Sequence, residues 1–342
     1  MYLYLFLLKL RELNFSIDLH LIRTDYDNLI VCHEFAQFRN ITSEFQFVVS
    51  IKRKIISRLL RFNGNIPLFG WSTNVISSKK LRLAIDKYEF VIVNYVWNYK
   101  SVKLFNCKKI LFVHDSFLNR NEKVKQKWVS FSLNDLKQAY SVFTEAVYSN
   151  YSEFVTESVY FSNTFYCGLP FYEVSLNKTK MSFSDTIGFI GSANILNLNT
   201  LKYFVAHLDK FRNFHDYNLI VAGSISKQIK DMVFYDFLKV IGEIINVESF
   251  YNQVYFVLSL IGPSTGIKIK DIEALAYGKI IICDDDTINC FPPIEGIKPT
   301  FIHISNLKSI FNKKILHTNM NVEYYTLYQR SVSQKLNELF NV

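Results

Sequence analysis

Residues 262–282 read GPSTGIKIKDIEALAYGKIII. An apolar run, YFVLSLI (255–261), leads into this stretch, and the run KIIIC (279–283) leaves it. Two short apolar runs joined through a glycine-bounded turn and a helical stretch are the pattern of parallel strands, buried on both faces and linked by a crossover helix. Gly262 and Gly266 allow unusual backbone angles, Ser264 and Thr265 can cap a helix, and the free N–H groups at such a helix start form an anion site. Lys268 and Lys270 stand where the helix begins, at the positive end of its dipole, where a cation costs from a few tenths to about 1 kcal/mol. That placement points to something anionic, although an ordinary strand-to-helix turn has the same outline.

Residues two apart on a helix point about 200° from each other. Only one of the two lysines can therefore meet a ligand, unless Lys268 still lies in the turn. Glu273 is three residues beyond Lys270 and shares its face. It either pairs with Lys270 or accepts two hydroxyl hydrogen bonds from a ribose.

The same rhythm extends in both directions. Toward the N-terminus, TIGFIGS, the helical NTLKYFVAHLDKF, the strand YNLIVAGS and the segment KVIGEI precede YFVLSLI. Earlier still, FSIDLHLI, FQFVVSI, EFVIVNYVW, KKILFVHDS and SVFTEAVY are strand candidates, with helical spacing in segments such as SSKKLRLAIDKY between them. The pattern breaks at CGLPFYEV and the polar NKTKMSFSD, which reads as a linker. This predicts two α/β units in tandem, residues 1–175 and 176–342.

With 342 residues, the chain is long enough for two domains of ordinary size. Hydrophobic residues make up 49% and charged residues 20%, a balance that excludes extensive disorder. The formal net charge of +9 favours anionic partners. Nucleic acid is not expected among them, because there is no zinc-finger spacing, no RNA-binding aromatic signature and no clear helix-turn-helix. Cys32, Cys107, Cys167, Cys283 and Cys290 show no CxxC or metal-ligand spacing, which suits a reducing compartment. The opening MYLYLFLLKLRELNFSIDLHLI is interrupted by Lys9, Arg11 and Glu12, well short of the roughly 20 apolar residues of a membrane span. Its charge follows the apolar run, the reverse of a signal peptide. It reads as a buried amphipathic helix running into a strand.

GIKIKDIEALAYGKIII resembles the donor-nucleotide segment of the family 4 glycosyltransferases of GT-B fold. Their common form is a Gly-rich turn, Thr-Arg-x-Lys, then x-x-Glu-Ala-x-Ala-x-Gly-Lys and a strand. IGFIGSANILNLNTLKYF is similar to the first strand and turn of that family's C-terminal domain, through Asn197, Asn199, Thr200, Tyr203 and Phe204. LIVAGS resembles its next strand, and KVIGEIINVESFYNQV its Gly-x-hydrophobic loop and following helix. KYEFVIVNY and KKILFVHDS take the places of two N-terminal-domain strands. The likeness runs from about Leu10 to the C-terminal helix and is strongest over 187–283.

The resemblance implies two Rossmann-like domains, each a doubly wound parallel sheet, with a cleft between them. The first would face the acceptor and the second would bind the nucleotide sugar. It puts Lys268 and Lys270 on the family's two basic positions, Glu273 on the ribose-binding glutamate, and Gly191, Ser192 and Gly266 in turns near the diphosphate. His114 falls on a histidine near the transferred sugar, and alternatively is a histidine closing a strand end. Of the family's E-x7-E pair, Glu273 is the second member, and Thr265 stands at the first, a position also without glutamate in a Gly-Gly-Thr subgroup. The family's opening strand and Gly-rich turn have no counterpart from residue 1 onward.

The implied activity is a hexosyltransferase-type transfer, retaining and metal-independent. It moves a sugar from a nucleotide-diphosphate donor, with no cofactor, to a glycan or lipid-linked acceptor in surface polysaccharide assembly. A non-catalytic GT-B-like protein that binds a partner glycosyltransferase or an anionic glycan is the alternative, and a sugar-nucleotide epimerase of the same fold is a third. Asp284, Asp285 and Asp286 read as a solvated loop rather than the metal-binding DxD of GT-A enzymes. In SIKRKIISRLLRF, Lys54, Arg58 and Arg61 form a basic amphipathic helix, which suits either a surface helix or an anionic membrane face. The expected location is cytoplasmic, peripheral on the inner face of a membrane.

Overall fold

The computed structural model describes residues 2–23, 42, 44–49, 66–67, 85–103, 105–116, 118, 129–130, 132–171, 185–209, 217–229, 236–260, 266–307 and 318–341. Outside these lie the basic segment with Lys54, Arg58 and Arg61, the linker and boundary near Ser175, most of SSKKLRLAIDKY, and Cys32, Gly262, Ser264 and Thr265. The chain forms two compact units, 1–170 together with 332–342, and 171–331.

The first unit opens with α1 (Tyr2–Glu12), which buries Leu5, Phe6, Leu7 and Leu10. Its centre is a four-stranded parallel sheet, β4 (Phe90–Asn94), β5 (Lys108–Val113), β7 (Glu145–Tyr148) and β8 (Thr164–Tyr166), in that order. β1 (Asp18–Arg23) pairs in parallel with β2 (Glu44–Val49), and β3 (Ile66–Pro67) with β6 (Val129–Ser130). The first unit's described strands therefore fall into three parallel groups rather than one continuous sheet. Ile110 to Val113 are all buried, and Phe6 of α1 stacks on Phe112 at 4.5 Å. Between the strands lie α2 (Tyr99–Val102), α3 (Leu133–Tyr140) and α4 (Tyr151–Glu157). Ser132 and Asp135 form a capping box on α3, and the Asn150 side chain caps α4.

The second unit is a six-stranded, wholly parallel sheet: β9 (Thr186–Ile190), β10 (Asn218–Ala222), β11 (Leu238–Gly242), β12 (Phe256–Ser259), β13 (Ile280–Cys283) and β14 (Phe301–His303). Across the sheet they run β11-β10-β9-β12-β13-β14. In chain order this is 3-2-1-4-5-6, the doubly wound arrangement of dinucleotide-binding domains. β12 and β13 are buried at every residue, as strands covered on both faces must be. On one face Ile187, Phe189, Leu219, Val221, Phe256, Leu258, Ile280 and Ile282 meet Leu201, Phe204 and Val205 of α5 (Ile195–Asp209). On the other, Gly188 lies under Phe250 of α6 (Val247–Tyr251), where an added Cβ would stand 2.7 Å from the ring.

α7 (Ile269–Ala276) joins β12 to β13. It ends in a Schellman motif: Gly278 takes φ +65°, its N–H donates to the Leu275 carbonyl, and the Lys279 N–H donates to that of Ala274. The acidic run is not the solvated loop expected of it. Asp284 caps α8 (Asp285–Ile288), accepting from the Thr287 N–H at 2.9 Å and hydroxyl at 2.6 Å.

The last helix, α9 (Thr318–Phe340), crosses between the units in sequence, and its residues from Val332 on pack with the first unit, whereas the sequence division placed them in the second. Phe340 packs 5.2 Å from Phe15 and 5.0 Å from Phe90, and the Lys108 ammonium donates to the Leu339 carbonyl, a cation at a helix C-terminus. No helix among the described residues is long and apolar enough to cross a membrane.

Candidate functional site

The strand order of the second unit reverses between β9 and β12. The chain leaves these neighbours in opposite directions, so the segments at their carboxyl ends diverge and open a crevice, where ligands bind in such sheets. Gly191 and Ser192 follow β9, and Gly266 to Lys268 precede α7, which follows β12. The Lys270 ammonium stands 4.5 Å from the centre of the Phe189 ring on β9, so α7 starts against the first strand. The second unit thus gathers all six expected donor residues, Gly191, Ser192, Gly266, Lys268, Lys270 and Glu273, onto two adjoining edges.

The turn after β9 is held by its own polar groups. Asn197 Nδ2 donates to the Ser192 carbonyl at 3.0 Å, and the Ala193 N–H donates to Ser224 Oγ at 2.9 Å. A Cβ at Gly191 would lie 3.1 Å from both Asn197 Nδ2 and the Phe189 ring, so packing already accounts for glycine there. Ser192 is exposed.

Gly266 has φ +80°, a left-handed conformation that carries the chain into α7. Lys268 is the N-cap residue, extended at φ −91°, ψ 133°, and offers no side-chain cap to the helix. Because Lys268 precedes the helix, the 200° separation does not apply to the pair. Burial above all pushes the Lys270 ammonium down to about 8, with Asp271 opposing the fall, the Lys268 charge adding to it and Asp284 opposing it.

Glu273 is half-buried. Tyr251 Oη donates to its Oε2 at 2.8 Å, and among the described residues Oε1 accepts nothing. Lys270 is not its ion-pair partner, so the first alternative drawn for Glu273 is not the one adopted. Burial above all, against the Tyr251 hydrogen bond and with the Asp271 charge adding to it, pushes its carboxyl up to about 7.

Asp271 was not singled out in the sequence. It is completely buried (0% exposed), neither oxygen meets a hydrogen-bond donor among the described residues, and burial lifts its carboxyl to about 6. The Ser259 hydroxyl at the end of β12 lies alongside without hydrogen-bond geometry. A carboxylate placed among Ile269, Ile272 and Ala274 has no spacing signature. Tyr251 was missed for a similar reason, standing 22 positions before its partner.

His114 belongs to the other unit, directly after β5. It is 7% exposed, its Nε2 lies 3.1 Å from Tyr95 Oη, and its ring stacks on Tyr2 at 5.3 Å. The loop it begins is tied down by Glu157, a carboxylate 1% exposed that accepts from the hydroxyls of Ser116, Tyr140 and Tyr148. Among the described residues, no group of three or more His, Cys, Asp or Glu side chains could hold a metal ion.

No protein-family model and no curated protein matches the sequence. Solved structures do match its fold. HepE of Anabaena in complex with UDP aligns over 99% of this chain and 96% of its own, with a TM-score of 0.65 and 10% identity. Sucrose-phosphate synthase of Thermosynechococcus elongatus aligns over 97% and 90%, with a TM-score of 0.61 and 12% identity. S. aureus TarM aligns over 75% of this chain but only 55% of its own, at 0.53 and 11% identity, so the chain spans little more than half of TarM. At these identities the likeness is one of fold, and the fold is that of the GT-B glycosyltransferases.

Proposed function

We propose that the chain is a family 4-like glycosyltransferase that takes a sugar from a nucleoside-diphosphate donor. The observation that carries this reading is the convergence, where the second sheet reverses, of a helix start without a side-chain cap, two neighbouring ammonium groups, and a carboxylate held by a buried tyrosine. Lys268, Lys270 and the first N–H groups of α7 neutralise the diphosphate, most strongly as it departs. Gly191, Ser192 and Gly266 let it approach, and Glu273 accepts from the ribose hydroxyls. The reading calls on no metal ion or cofactor for this neutralisation.

Retention of configuration, a glycan or lipid-linked acceptor in surface polysaccharide assembly, and a peripheral place on the inner face of a membrane complete the proposal. The net charge of +9 supports an anionic surface. Calorimetry with UDP tests the donor site: Glu273→Ala weakens binding, and Lys268→Ala or Lys270→Ala lowers transfer rate. A wild-type chain that binds no nucleoside diphosphate refutes it. His114→Ala is expected to lose turnover while keeping UDP affinity.

The burial of His114 and its contact with the Tyr95 hydroxyl favour a second reading, a GT-B-like protein without catalysis that binds a partner glycosyltransferase or an anionic glycan. Nucleotide binding with no sugar transfer and no donor hydrolysis would select that reading.

A further inference from the structure

The contact between Tyr251 and Glu273 joins two helices on one face of the second sheet. Tyr251 ends α6 and is 0% exposed. Its ring lies flat on that of Tyr277, the residue closing α7, with centroids 4.7 Å apart and planes at 11°. Its hydroxyl stands 2.8 Å from Glu273 Oε2 and 3.3 Å from the Lys270 carbonyl. The phenol therefore has little freedom to turn away, and it holds one oxygen of the carboxylate. Glu273 Oε1 is the oxygen left to a ligand.

We infer that Tyr251 is a positioning residue for donor recognition: its hydroxyl fixes Glu273 Oε2 and presents Oε1 to a ribose hydroxyl. The inference rests on the nucleotide reading above. It adds a requirement that Glu273 alone does not carry, because a half-buried glutamate without that donor would both swing and hold its proton longer. Among the described residues, the titratable groups facing Glu273 are Tyr251 from α6, and Asp271 and Tyr277 from its own helix and its end. Of these, the Tyr251 hydrogen bond is the one that favours the charged, accepting form.

The test uses the full chain and two probes, UDP and 2′,3′-dideoxy-UDP, titrated by calorimetry between pH 6 and 8.5. The ratio of their dissociation constants reads the ribose contact, since Lys268 and Lys270 act on both ligands alike. In the wild type the ratio rises with pH through about 7, as Glu273 ionises. In Tyr251→Phe the ratio at pH 7 falls by roughly tenfold or more, the loss of one hydrogen bond to a charged group. It recovers toward the wild-type value at pH 8.5, where Glu273 ionises without help. A simple packing defect would not be repaired by pH.

Replacing Tyr251 by 3-fluorotyrosine, a stronger donor of nearly the same shape, moves the midpoint of the rise to lower pH, and this serves even if the phenylalanine variant does not fold. If the wild type discriminates between the two probes but Tyr251→Phe matches it at pH 7, Tyr251 does not position Glu273. An unmoved midpoint with 3-fluorotyrosine overturns the inference in the same way. A wild type that binds UDP but does not prefer it over the dideoxy analogue refutes the ribose reading itself, and the inference with it.

Discussion

Replacing Asp271 with asparagine should make this protein more stable, and more so as pH rises. Both carboxylate oxygens are buried without a donor among the described residues, and burial lifts the group from 3.8 to about 6. Because the folded pKa lies above the unfolded one, the folded state binds the proton more tightly. The resulting stability is fully present below about pH 4 and is lost as pH rises through 6. At roughly 1.4 kcal/mol per pKa unit, the whole loss is about 3 kcal/mol, of which about half has occurred by pH 5.

Asparagine keeps the shape and cannot ionise. Its own unpaired amide carries a cost that does not vary with pH, so the diagnostic quantity is the change in relative stability between pH 5 and pH 8. That change should be between about 1 and 2 kcal/mol in favour of Asp271→Asn. Urea denaturation of both proteins at pH 5, 6.5 and 8, followed by circular dichroism, measures it. The same substitution removes a charge that supports the Lys270 ammonium, so UDP affinity at pH 8 should fall while stability rises. A relative stability that stays flat from pH 5 to 8 would refute the reasoning, and would mean that the carboxylate is solvated or paired in solution.

UDP affinity itself should be greatest between about pH 7 and 8, declining on the acid side as Glu273 protonates and on the alkaline side as Lys270 loses its proton; calorimetry across pH 6–9 checks this. Glu157→Ala should cost roughly 3 kcal/mol in urea denaturation, since three buried hydroxyls lose their acceptor together. Gly188→Ala should cost between about 1 and 3 kcal/mol and weaken UDP binding, because the new methyl pushes on Phe250 beside Tyr251. Gly278→Ala, at φ +65°, should cost about 1 kcal/mol with UDP binding unchanged; thermal melts and calorimetry separate the two effects.

The core strands were legible because parallel strands covered on both faces must be apolar throughout. TIGFI, NLIVA, FVLS and IIIC are such runs, and each became a strand of the second sheet. β8 and β14 were not anticipated. Each has three residues and no alternating pattern, and forms at a sheet edge where a neighbouring strand offers its unpaired N–H and C=O groups. The acidic run was misread because a cap depends on where the helix starts, and Asp284 was read by its charge instead of its hydrogen-bonding reach.

From Gly266 to Lys279, local spacing alone determined a turn, a helix bounded by glycine, and the positions of Lys268, Lys270 and Glu273 along it. It could not decide which groups those side chains meet, because hydrogen bonds and charge interactions depend on distance in space rather than on separation along the chain. The 3-2-1-4-5-6 order sets α7 against β9, and packing of α6 brings Tyr251 onto Glu273 across 22 residues. The sequence determined that this stretch begins a helix rich in charge; only the tertiary structure decided that Glu273 answers to a tyrosine, and that Asp271 is buried beside the Lys270 charge with no hydrogen-bond donor among the described residues.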